Sequence, residues 1–235
     1  MQTLSPTRCL RAAPLILLAA LALGLPGCTL LSLAGLIAAP SIAIDPQYVI
    51  PKGHQVVVIV DDLHHAASPH LREAIASTAV FHLKKADKFK VVSDAEVNDA
   101  IAKLGDRWTG AHGQKSVSAA SLGAALHADT VIYANIESSQ IQLADNVYQP
   151  QVLLSIKAYD AASGRCMFPS SPDGDNMRST GFVIETNISP KDLSAAGRSA
   201  PSVAENKLAA QAGMDLAHVF VKYYPKQPGD TLGQD

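Results

Sequence analysis

The chain has 235 residues, 48% of them hydrophobic and 17% charged, with a formal net charge of −2. That balance is globular and excludes a disordered chain. A charge so close to zero, without clustered Lys and Arg, also excludes a nucleic-acid surface. The densest basic group, Lys84, Lys85, Lys88 and Lys90, falls where a helix is expected to end, a position favoured by the helix dipole.

Arg8 and Arg11 precede an apolar run, Ala12 to Leu25, and no acidic residue occurs before Asp45. A positive start, an apolar core and a small-residue end predict a secretory signal over residues 1–27. The run Leu25-Pro26-Gly27-Cys28 resembles the bacterial lipobox, in which the cysteine thiol accepts a diacylglyceryl group and becomes the first residue of the mature protein. The resemblance implies that Cys28 is lipidated and tethers the chain to a membrane. Thr29, where Asp would signal retention, implies the periplasmic face of the outer membrane. Each buried CH₂ is worth ~0.8 kcal/mol, so three acyl chains amount to a permanent anchor. The competing reading is an uncleaved transmembrane anchor, because Leu15 to Ile44 carries no charge and is long enough to span a bilayer. Both readings place the remaining chain outside the cytoplasm. Cys9 leaves with the signal, so Cys166 has no partner in its own chain. A buried, inert thiol is expected there.

Residues 28–51 read as a lipidated N-terminus and linker punctuated by Pro40, Pro46 and Pro51. An α/β domain follows over 52–225, and 226–235 is a polar tail. QVVVIV, residues 55–60, is a continuous β-branched run that predicts a strand buried on both faces. Ser68 caps a helix with Pro69 at its first position, running to about Lys85 with Leu71, Ile75, Ala79 and Leu83 on one face. FKVVS (89–93) predicts a second strand, with Asp94 capping a short helix that carries Val97, Ile101 and Leu104. A Gly-rich loop over 105–115 and a helix over about 118–126 follow. TVIYANIESSQIQL from Thr130 predicts the third strand, Ala144–Pro150 a hairpin connection, and 151–160 the fourth strand. RCMF is a short strand-like run, TGFVIET (180–186) a further strand, and 202–224 a final helix. The expected order is β-α-β-α-α-β-β-β-α: an α/β mixed sheet with packed helices, its late strands antiparallel and its early crossover parallel.

Four stretches in this order carry a family resemblance. They are the first strand with its DDLHHA loop, FKVVSDAEVNDAIAKLG, LGAALHADTVIYANIES and SIKAYDAASGRCMF. Together they resemble a superfamily of periplasmic α/β domains that includes curli-secretion lipoproteins, lipoprotein activators of penicillin-binding proteins and the N-terminal domain of the Tol-Pal translocation protein. The resemblance spans about residues 55–224 and implies a sandwich fold and an envelope location. It implies no catalytic residues and no cofactor. ESSQIQLADNVYQP does not alternate cleanly, so a membrane-barrel hairpin is disfavoured.

The densest chemistry is DDLHHAASPH, where Asp61, Asp62, His64, His65 and His70 lie within ten residues at the end of a buried strand. A His/Asp set of this kind suits zinc. Neighbours in extended chain point apart, however, and the alternative is a polar loop before a helix N-terminus. GAHGQKS (110–116) has neither the spacing nor the preceding strand of a phosphate loop. Trp108, the single tryptophan, either closes the core or anchors a partner. The expectation is therefore a non-catalytic, lipid-anchored envelope protein that binds another envelope protein and needs no cofactor. A metal-dependent envelope enzyme using Asp62, His64, His65 or His70 is one alternative, and a subunit of a secretion complex is another.

Overall fold

In the computed structural model, β1 (Gln55–Asp61) lies between two parallel neighbours, β2 (Lys90–Val91) and β3 (Thr130–Ala144). The structure describes residues 43–104, 117–144, 147–170, 181–189, 193 and 201–225. The signal, Cys28, Trp108, the Gly-rich loop and the polar tail lie outside them. β4 (Val147–Asp160) returns antiparallel to β3 and carries two short strands on its far edge, β5 (Cys166–Phe168) and β6 (Phe182–Asn187). The sheet order is β2-β1-β3-β4-β5, with β6 also on β4.

Val56, Val57, Val58 and Ile59 are all buried, as a β-branched strand covered on both faces must be. On one face, α1 (Pro69–Lys85) and the last helix, α4 (Pro201–His218), pack on Val56, Val58, Ile132, Ala134, Leu154 and Ile156. On the other, α2 (Asp94–Leu104) and α3 (Ala119–Leu126) cover Val57, Ile59, Val131, Tyr133 and Tyr159. The mixed α/β sandwich is thus present. Ser68 caps α1 by accepting from the Leu71 N–H, with Pro69 in the first turn. Leu71, Ile75, Ala79 and Leu83 form its buried face as expected. Ser118 and Ser121 exchange bonds in a capping box at the start of α3.

Several expectations need correction. The RCMF run supplies a strand of its own, so the order has one strand more than expected. The second strand pairs through only two residues. At α2 the cap is Ser93, not Asp94: Ser93 N–H and Oγ donate to Glu96, whose own N–H points back at Ser93 Oγ. The expected loop before Pro150 is mostly strand, because Gln142 pairs with Tyr148 and Ala144 with Val147. α4 stops at His218, six residues early. Beyond it the chain turns, and Tyr223 forms an antiparallel bridge with Ile44. That bridge, a Tyr48 N–H bond to the Val219 carbonyl and the burial of Ile50 bring the last part of the expected linker, from Ile44 on, into the packed unit Ile44–Tyr223. Cys166 is exposed rather than buried. Its sulfur donates to the Phe168 carbonyl at 3.2 Å, and partial burial pushes the thiol pKa up. Among the described residues no helix is long and apolar enough to cross a membrane.

Candidate functional site

The loop after β1 is built by its own carboxylates. Asp61 accepts from the Asp62 N–H at 2.8 Å and from the Tyr133 hydroxyl at 3.3 Å. Burial of Tyr133, with Asp61 beside it, pushes the phenol pKa far above its ordinary range. The two oxygens of Asp62 each accept a backbone N–H, from Ala66 and Ala67, both at 2.8 Å. Asn135, buried on β3, accepts from the Leu63 N–H at 3.1 Å and donates to Glu137 at 2.9 Å. Ser139 donates to the Ala66 carbonyl, tying the loop to β3 a second time.

The histidines do not converge. His64 faces Glu137 at 3.4 Å. His65 is exposed in the left-handed region, with φ of 51°. His70, on the first turn of α1, bonds Asn206 of α4 at 2.6 Å. Ser68, one residue before α1, donates to Glu205 on the same helix. No group of three His, Cys, Asp or Glu among the described residues is placed to hold a metal ion. The polar residues here fold a turn and fasten it to β3 and α4; each buried side-chain polar atom among the described residues has a partner.

What the sequence reading missed lies beside this loop. A groove of about 520 Å³ runs along β1 from Val58 to Asp61. Arg72, Glu73, Ala76 and Ser77 of α1 form one wall. Asp94, Val97, Asn98 and Ile101 of α2 form the other, spaced three or four apart as one helix face requires. Its size is that of a ligand pocket. Asp94 is half-buried, and that burial raises its carboxyl pKa, with Lys84 opposing. The Arg72 guanidinium makes no ion pair with a described residue.

The floor of the groove is strand edge. The Val92 N–H bonds the Val56 carbonyl, whereas the Asp129 N–H bonds the Gln55 carbonyl from the β3 side. In a parallel ladder the N–H and C=O of one residue point the same way and those of the next point oppositely. Val56 therefore faces β2, and Val58 and Val60 face the same side. There β2 has already ended, because the chain enters α2 at Asp94. Among the described residues, the groove-side N–H and C=O of Val58 and Val60 have no partner.

No family model matches the chain, and no curated protein matches it. Similar solved structures exist at low identity. The lipoprotein GNA1162 from Neisseria meningitidis is 10% identical, covers 62% of this chain and 90% of its own, and gives a TM-score of 0.43. A PelC dodecamer from Paraburkholderia phytofirmans is 12% identical over 75% of this chain and 96% of that one, with a TM-score of 0.36. The LpoB C-terminal domain from Salmonella enterica is 15% identical over 59% and 84%, with a TM-score of 0.34. A likeness this distant carries no function to the chain.

Proposed function

We propose that this protein is a non-catalytic, lipid-anchored envelope lipoprotein that acts as an adaptor or assembly factor for another envelope protein. The observation that supports the adaptor role is how the polar residues at the end of β1 are used. Both oxygens of Asp62 are occupied by backbone N–H groups, and His64 and His70 turn to Glu137 and Asn206. A general base or metal site needs such groups convergent on one reacting atom. Here they stabilise a loop and leave a polar, walled groove beside it. The anchor and the periplasmic face of the outer membrane rest on Leu25 to Cys28 and Thr29.

Photo-crosslinking tests this reading. A photoreactive residue at exposed Asn98, in protein held in intact membranes, is expected to capture the same envelope protein in repeated experiments. Capture of no envelope protein from this position or from other exposed positions around the unit would contradict an adaptor.

A further inference from the structure

We propose that the free edge of β1 receives a short extended segment of a partner protein as an added β-strand, with a basic side chain of that segment held by Asp61, Glu73 and Asp94. The proposal rests on the adaptor reading and gives its contact a chemistry.

Three observations carry it. First, Val58 and Val60 present two N–H and two C=O groups toward the groove. Backbone groups are obligatory hydrogen-bonding partners, and those lining a slot without a protein mate are a template for another strand. Two residues of the same parity set a register for about four residues of guest, at ~3.3 Å rise per residue. Second, the edge is walled. Val97 and Ile101 on α2 and Ala76 on α1 offer apolar surface to alternate side chains of such a guest. β6, on the opposite side of the sheet, pairs β4 and also ends the sheet. Third, the rim is acidic. Asp61, Glu73 and Asp94 line the groove with one cation, Arg72, while Lys84 acts on Asp94 from outside the lining. That imbalance favours a guest with Lys or Arg and disfavours an acidic one.

The test uses the full chain in mild detergent and an acetylated, amidated hexapeptide of alternating valine and lysine. Amide exchange is read residue by residue with and without peptide. The Val58 and Val60 amides are expected to exchange about tenfold more slowly once they enter a ladder, while the Phe182–Asn187 amides stay unchanged. Replacing the lysines of the peptide by glutamates is expected to weaken binding about threefold or more, the scale of a partly exposed charge contact. Asp94→Lys is expected to reverse that preference. Asn98→Trp, at an exposed position on the groove wall, is expected to abolish protection while leaving the unbound spectrum otherwise intact. Absence of protection at millimolar peptide, protection of the β6 amides instead, or undiminished protection in Asn98→Trp each overturns the proposal. An envelope partner captured through another face, with Val58 and Val60 unprotected, overturns strand addition and leaves the adaptor standing. Protection with no envelope partner captured does the reverse.

Discussion

Gly213 on α4 rests directly on the backbone of Ile75 on α1: a methyl group at its Cα would lie 2.6 Å from the Ile75 carbonyl oxygen and 3.0 Å from the Ala79 nitrogen. Those neighbours are helix backbone and cannot give way as a side-chain tip does. With Ala79, Ala209 and Ala212 also buried in this cluster, small residues let the two helices approach closely over the sheet. Gly213→Ala is therefore expected to destabilise the fold by ~1–3 kcal/mol, the cost of overpacking, despite the higher helix propensity of alanine. Urea unfolding monitored by circular dichroism measures it, and an unchanged midpoint would contradict the close packing.

The Asp62 carboxylate closes the turn after β1 by accepting two backbone N–H groups. Asp62→Ala leaves both without that partner, and a loss of ~1–2 kcal/mol is expected, comparable to a lost cap or a charged hydrogen bond. His64→Ala removes a solvent-exposed contact with Glu137, for which less than ~0.5 kcal/mol is expected. The two variants compared in urea give the order directly; a larger loss for His64 would point to a role for that ring beyond the loop.

His82 near the end of α1 and His218 at the end of α4 lie with ring centroids 6.4 Å apart, and His218 stacks on Tyr223 at 3.7 Å. Burial lowers both pKa values below the ordinary 6.5, helped at His82 by Lys85. At His218 Asp215 opposes the shift and His82 adds to it. The folded state thus favours neutral rings and binds fewer protons than the unfolded chain. The stability this contributes is full above pH 6.5 and is lost as pH falls through the lowered folded values. The urea midpoint is expected to fall between pH 7 and pH 5 by more in the wild type than in the His82→Gln, His218→Gln double variant. Equal falls would remove these residues from the acid response.

Much of the architecture was legible in the sequence because local chemistry and burial agree there. Ser68-Pro69 starts a helix by capping and fixed φ, and a run such as QVVVIV has nowhere to go but between layers. The failures share a cause. Val219, Phe220 and Tyr223 continue the apolar spacing of α4, so periodicity runs past His218, where the chain instead turns to pair with Ile44. Ile44 and Tyr48 look like linker because their partners, Tyr223 and Val219, lie at the far end of the domain's sequence. At the site, the sequence drew attention to DDLHH, whose polar groups fold the loop. The groove was not visible, because it exists only where β2 stops short of β1 and α2 swings across. Asp94, Asn98 and Arg72 carry no spacing signal for it.

Metal analysis addresses the remaining enzymatic reading. Tag-free protein is expected to hold well under one equivalent of zinc, since His64, His65 and His70 point to separate neighbours or to solvent. One tightly held equivalent, lost in His64→Ala, would reinstate it.

Intact-mass analysis of the native protein extracted from cell membranes bears most directly on the lipid-anchored reading. The expected species begins at Cys28 and carries a diacylglyceryl group on its sulfur and an acyl chain on its amine, and Cys28→Ser loses both. A native chain that begins at Met1, bears no lipid and is recovered from the soluble cytoplasm would contradict it.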